Sequence, residues 1–390
     1  MERRAFLSLM GAAGLSTVTL GPSLVWATAR NPYQRLLILV ELKGGNDGLN
    51  TLVPYADPSY VALRPRIALR RDEVLQLSEQ AGFHPALQSL MPLWQQGELA
   101  LIQGVGYPQP NLSHFRSIEI WDTASGSDEY LADGWLARSF SRQPTPADYV
   151  ADGVVLGSQE LGPLFGGDRA IVLGNPEQFL RQARLAVPGG ATPRANPALA
   201  HVLKVEDDVS LAARQLAAGP GRVLATEFPR DGFGNTVRNA CQVLALGKGV
   251  AVLRLTLGGF DTHQNQPGTQ ANLLRQLGDG LAALKTGLQE LALWDKTLIL
   301  TYAEFGRRPK ENQSNGTDHG TANVHFALGG RVKGGFYGDA PRLDQLDGNG
   351  NLAAPVDFRS VYATALERWW GVDAQAVLGG RFAPLPLLRV

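Results

Sequence analysis

The chain has 390 residues, 44% hydrophobic, 18% charged and 8% aromatic, a balance that excludes an intrinsically disordered protein. Its 36 Lys and Arg offset 36 Asp and Glu, so it lacks the basic footprint of a nucleic-acid binder, and no internal apolar run is long enough to span a bilayer. One cysteine, Cys241, excludes an intramolecular disulfide and a Cys-based zinc site, and there are only six histidines: His84, His114, His201, His263, His319 and His325.

Arg3-Arg4 precede an apolar stretch from Ala5 to about Trp26, then Ala27-Thr28-Ala29. Paired arginines, an apolar segment and an A-x-A pattern predict a twin-arginine signal peptide over 1–29. The mature chain is expected from about Arg30 to 390 as one domain, periplasmic or secreted, meeting a membrane only through export. A nearly cysteine-free chain suits export in the folded state.

Leu36–Leu42 is a continuous apolar run ending at Gly44-Gly45, the pattern of a buried strand entering a tight loop. Similar strands are expected at 99–105, 170–173, 250–257, 297–302 and 325–328. The clearest helix spans 271–293, with leucines at 273, 274, 277, 281, 284, 288 and 291 on one stripe. Further helices are expected near 84–96, 115–122, 197–217, 235–247 and 357–370. Strands alternating with helices predict an α/β fold: a mostly parallel sheet covered on both faces, a three-layer α/β/α sandwich. The proline-rich stretch 120–235 reads as a lid or insertion, with a mobile loop at 188–193.

Ligands of such sheets bind where the strands end at their carboxyl edge. Asp47 follows the first strand; Asp261 and His263 follow the strand at 250–257. Glu304 and Arg307 follow the strand at 297–302, and Asp318-His319 lie in the next loop. Asp and His among glycines suit a divalent metal, one or two ions, with zinc first and manganese, iron or calcium as alternatives. The competing reading is ordinary turns and helix caps. Ser113-His114 follows the strand at 99–105. Ser113 is either a nucleophile activated by metal or a helix N-cap, and the two readings are compatible. There is no G-x-S-x-G elbow, no P-loop and no dinucleotide fingerprint.

The order of motifs resembles the domain-of-unknown-function 1501 family, exported bacterial proteins related to alkaline phosphatases and sulfatases. The resemblance rests on the twin-arginine start, Leu42–Thr51, Phe83–Leu87, Ser113–Phe115, Gly259–His263, Glu304–Arg307 and Gly316–Gly320. It implies an alkaline phosphatase/sulfatase-like fold with metal ligands at Asp47, Asp261, His263 and His319, joined by Glu304 or Asp318, and Ser113 as nucleophile. A rival alignment makes Asp318-His319 an Asp-His pair and His325 the last ligand. Arg307 is expected to clamp a substrate oxygen and His114 to donate a proton; a surface salt bridge and a packed histidine are the alternatives. Ser113 lacks the proline two residues later that formylglycine maturation requires. The expected function is metal-dependent hydrolysis of phosphate or sulfate esters, on a small-molecule or polysaccharide ester. The alternative is a non-catalytic envelope or polysaccharide-associated binding protein on the same fold. With so few histidines, carboxylates are expected to carry more of any metal coordination, and a single occupied site is an alternative to two. His84 and His201 read as structural.

Overall fold

Strand β1 (Leu36–Lys43) sends Leu36, Ile38, Val40 and Leu42 into one core and Leu37 and Leu39 into another. That alternation is why its sequence is apolar almost throughout: both faces of the strand are covered. The computed structural model describes residues 31–173 and 222–389. The expected signal peptide over 1–29, the loop at 188–193, His201 and the helix at 197–217 lie outside the described residues.

Around β1 lie β2 (Leu99–Gly106), β3 (Tyr149–Leu156), β4 (Ala170–Leu173), β5 (Gly249–Gly258) and β6 (Thr297–Tyr302). A separate hairpin pairs β7 (Arg307–Glu311) with β8 (Thr317–His319). β9 (Asn323–Leu328), β10 (Gly335–Tyr337) and the short β11 (Val356–Asp357) complete the main sheet. Its order is β10-β2-β9-β6-β1-β5-β3-β4, with β11 also on β2. Every neighbouring pair is parallel except those made by β9, which runs against β2 and β6.

Helices α4 (Gly232–Ala245) and α5 (Gln266–Glu290) cover one face, and the leucine stripe of α5 is buried there. Helices α2 (His114–Thr123), α3 (Trp135–Arg142) and α6 (Phe358–Ala363) cover the other. The molecule is thus the expected α/β/α sandwich. A satellite core beside it joins Tyr60 of α1 (Pro58–Leu63) to Leu49, Val53 and Leu352.

The six strands read from sequence are all present. Within the described part of the expected lid or insertion at 120–235, β3 joins the main sheet beside the expected strand β4. Asp152-Gly153 interrupts the apolar run of β3, so a continuous-run criterion passes over it.

The topology gathers the loops that matter. β1, β2, β5 and β6 share one direction, so their carboxyl ends lie on one edge of the sheet. Antiparallel β9 starts at that edge, so the segment leading into it arrives there too.

Inside the sheet, Glu41 on β1 and Arg254 on β5 are fully buried and pair at 2.7 Å. Arg254 also donates to the Tyr302 hydroxyl at 2.8 Å and to the Glu160 carbonyl at 2.6 Å. Removing one charge strands the other in a dry interior. Arg254→Met is expected to lower stability by about 3–5 kcal/mol in urea unfolding, and Glu41→Met/Arg254→Leu together to recover most of that loss. A single variant as stable as the parent contradicts this account.

Candidate metal centre

Gly44 and Gly45 follow β1 at φ +113° and +78°. A Cβ on Gly44 would stand 2.4 Å from the Asp261 nitrogen, and one on Gly45 2.5 Å from the Phe305 ring. Glycine is therefore required at both by backbone angle and by space. Their N–H groups converge on Glu304, at 2.9 and 3.2 Å, forming an anion-holding nest. Glu304 is buried, and its Oε1 also lies 2.8 Å from His114 Nδ1.

Arg307 is fully buried behind this loop. Its Nε donates to the Gly45 carbonyl at 2.7 Å and its Nη1 to the Thr317 carbonyl at 2.9 Å. Its Nη2 meets the carbonyls of Gly44 and Phe260 and, at 2.6 Å, Asp261 Oδ1. All three nitrogens are committed within the protein. The expected substrate clamp is corrected: Arg307 orients Asp261 and ties loops together.

Three imidazoles surround Asp261. His263 Nε2 lies 3.0 Å from Asp261 Oδ1, His319 Nε2 lies 3.2 Å from the same oxygen, and the two nitrogens are 3.0 Å apart. His114 Nε2 lies 3.4 Å from Asp261 Oδ2. Each opposite ring nitrogen faces an oxygen. His319 Nδ1 is 2.8 Å from the Leu112 carbonyl, His114 Nδ1 is 2.8 Å from Glu304, and His263 Nδ1 is 3.4 Å from Asp318. All three rings thus turn Nε2 toward one carboxylate.

Burial pulls the Asp261 carboxyl upward, but the hydrogen bond and charge of Arg307, helped by His319 and His263, outweigh it and hold it at about 2. The hydrogen bond to Glu304 raises His114 despite its burial. Burial lowers His319, opposed by its Leu112 contact.

These donors fit a divalent cation. Tetrahedral ligands at about 2.0–2.1 Å from zinc stand about 3.3 Å apart, close to the observed triangle of Nε2, Nε2 and Oδ1. Among the described residues, His114, Asp261 and His319 offer ligand atoms all within 4.8 Å of one another, with His263 beside them. The oxygen behind each Nδ1 is the usual outer support of a metal-ligating histidine. Among the described residues, Asp261, Glu304 and Asp318 gather around the rings and Arg307 is already paired with Asp261, so the cluster favours a positive charge.

Of the residues singled out from sequence, Asp261, His263, His319 and His114 come together. Glu304 and Asp318 stand behind the rings. Asp47 does not join them: it is buried, pairs with Arg64 at 2.6 Å, accepts from Gln266 at 2.5 Å and caps the turn at Leu49. Its expected place as first metal ligand is corrected, because Arg64 from the end of α1 neutralises it. Ser113 is exposed at the N-cap of α2, where its side chain makes no capping hydrogen bond. His325 is buried in β9 against Trp121, away from the cluster, which removes the rival alignment's last ligand. His84 accepts from the Ala86 N–H at a turn, as a structural histidine. Arg64, Gln266 and the Leu112 carbonyl gave no recognisable sequence signal. Where carboxylates were expected to carry more of any coordination, the cluster sets three imidazoles around one carboxylate.

The fold and site define an α/β protein with an imidazole–carboxylate cluster at the carboxyl edge of its sheet. A family profile described as "Protein of unknown function (DUF1501)" matches residues 103–381, and the chain belongs to that family. No curated protein matches the chain. Among solved structures it is similar to the lipoteichoic acid synthase LtaP from Listeria monocytogenes, at 10% identity over 89% of this chain and 75% of that one, TM-score 0.41. It is similar to a protein in the alkaline phosphatase superfamily from Vibrio parahaemolyticus, at 10% identity over 89% and 69%, TM-score 0.41. It is also similar to the phosphonate monoester hydrolase SpPMH from Silicibacter pomeroyi, at 12% identity over 89% and 76%, TM-score 0.43.

Burial alone holds His325 neutral, near a pKa of about 3. The unfolded chain therefore takes up a proton that the folded chain refuses. Stability is full above the unfolded value of 6.5 and falls as pH drops toward 3, by at most about 1.4 kcal/mol per pH unit from this group. His84, lowered to about 4 by burial with the Asp47 charge opposing, acts with the same sign. Urea midpoints measured from about pH 7 to about pH 5 should fall, and His325→Leu should flatten the fall.

Proposed function

We propose that the chain is an exported, metal-dependent hydrolase of phosphate or sulfate esters. The observation that carries the reading is the set of three Nε2 atoms turned toward Asp261, each ring braced by an oxygen at Nδ1. Asp261, His319 and His114, with His263 beside them, would hold one divalent cation, zinc first. When bound there, such an ion would supply Lewis acidity to an ester oxygen and to the Ser113 hydroxyl or a nearby water. Arg307 keeps Asp261 ionised and aimed. Glu304, held by two backbone amides, fixes the His114 ring and can take charge from it. Ser113 precedes His114 at the positive end of α2, where the helix dipole favours a developing oxyanion. Leu112, next in line, braces His319, so Ser113, His114 and the brace of His319 sit on one short segment. The paired arginines and A-x-A pattern over 1–29 support twin-arginine export. No helix among the described residues is long and apolar enough to cross a membrane.

A second reading, a non-catalytic metal or ester-binding protein, is favoured by one observation: Ser113 is exposed rather than packed against the cluster.

Purified protein is expected to bind one zinc ion by titration with elemental analysis, and to hydrolyse aryl phosphates or aryl sulfates only when loaded. His319→Ala or Asp261→Asn should lower kcat/KM at least about a hundredfold, as loss of a metal ligand does. Loss of turnover in Ser113→Ala, with zinc retained, assigns the nucleophile. A folded protein with neither zinc nor turnover overturns the hydrolase reading; zinc without turnover on any ester supports the binding protein.

Asp47→Asn separates fold from site. It should lose about 3–5 kcal/mol of stability, because Arg64 is left unpaired, yet keep the parent's zinc affinity. A large fall in zinc affinity returns Asp47 to the ligand set.

A further inference from the structure

A cavity of about 850 Å³ opens beside the cluster and shares His114, Asp261 and Glu304 with it. Six carboxylates line it, Glu41, Glu119, Asp122, Glu160, Asp261 and Glu304, against one lysine, Lys43. Most of this charge is spoken for. Lys43 pairs with Glu160 at 2.7 Å, Arg116 with Glu119 at 3.0 Å, and Arg307 with Asp261 at 2.6 Å. Glu304 has its two amides and His114.

Two oxygens are left over. Glu41 is fully buried, and while its Oε2 meets Arg254 and Thr256, its Oε1 has no hydrogen-bond partner. Asp122 on α2 has a buried Oδ1 without a partner and no ion pair among the described residues. A buried carboxylate oxygen without a donor is destabilising, and proteins rarely keep one unless something else supplies the donor. Burial, with Glu41, Glu160 and Glu304 adding to it and Arg254 opposing, pushes the Asp122 carboxyl well above its usual range. With no cation beside it among the described residues, the Asp122 carboxyl keeps its proton, and a cation held against it and Glu41 would let it ionise. The rim is apolar: Phe115 is 89% exposed and Phe165 55% exposed, unusual for phenylalanine unless a ligand covers it.

We infer that this cavity binds an organic ammonium group against Asp122 and Glu41 Oε1, with the apolar part of the same ligand resting on Phe115 and Phe165. An ammonium supplies up to three N–H donors and the missing charge, and its carbon skeleton accounts for the exposed rings, where a bare metal ion would not. The inference does not depend on turnover. If the neighbouring cluster is the ester-cleaving centre, the ester's alcohol portion is the part that carries the ammonium.

Calorimetric titration of metal-free full chain at neutral pH, with benzylammonium, benzyl alcohol and benzoate as probes, tests it. Benzylammonium is expected to bind at least about tenfold tighter than benzyl alcohol, and benzoate not to bind. Asp122→Asn should remove that preference. Phe115→Ala, at an exposed position that cannot compromise folding, should weaken benzylammonium severalfold and leave methylammonium unchanged. Equal binding of the alcohol, preference for benzoate, or no binding overturns the inference. So does binding lost in Asp261→Asn but intact in Asp122→Asn, which would put the cation among the imidazoles. Because no metal or ester is present, failure here leaves the zinc and hydrolysis measurements to decide the proposed function separately.

Discussion

The buried guanidinium of Arg307 holds this structure's working edge together. It reaches the carbonyls of Gly44 and Gly45 after β1, Phe260 after β5 and Thr317 on β8, and ends on Asp261. A guanidinium taken out of water must satisfy its donors locally, so the loops are bound to the positions where their carbonyls can meet it. Asp261 inherits that fixity. The three imidazoles then aim at a carboxylate whose direction is set from behind by a side chain each of whose nitrogens already donates within the protein. The two left-handed glycines belong to the same constraint, since any Cβ there would push the β1 loop off Asp261 and Phe305.

Charge burial sorts the acidic residues of the fold into two kinds. Asp47 and Glu41 each face a buried arginine, Arg64 and Arg254, whose side chains are as inaccessible as their own. Such pairs gain little stability over an apolar core, but either partner alone is costly, so each pair pins geometry. Asp261 differs: its carboxylate is 46% exposed and meets neutral-capable rings as well as one arginine. The distinction lies in the partner's position in space. It explains why Asp47, in a glycine-rich loop after a strand just like Asp261, ends up in the scaffold.

That contrast also marks the limit of what the amino-acid sequence discloses. The strands were legible because a strand covered on both faces must be apolar, and β1, β2, β5, β6 and β9 obey that rule. β3 escaped because Asp152 breaks its run, the carboxylate being satisfied by Thr145 at 2.5 Å from outside the strand. At the site, Asp261, His263 and His319 could be read from their places after strands, and so could Glu304. The partners that decide roles could not. Arg64 sits in an arginine-rich loop with no feature to single it out, and the Leu112 carbonyl that orients His319 is backbone, which composition cannot show. His114 looked like a neighbour of the nucleophile because the chain offered no hint that Glu304, 190 residues away, turns its ring toward Asp261.

The ring tethers tie the cluster to the whole carboxyl edge. Glu304 comes from the segment after β6, Leu112 from the segment after β2, and Asp318 from β8 of the hairpin. The rings themselves come from α2, the loop after β5, and β8. No single loop owns both a ligand and its brace. A shift in any one of these segments therefore disturbs at least two donor directions at once, which the near-tetrahedral spacing of a bound zinc would not tolerate. The sheet accordingly supplies preorganisation: its parallel strands deliver each ligand at a fixed height, and the crossed tethers convert that rigidity into a defined orientation for every Nε2.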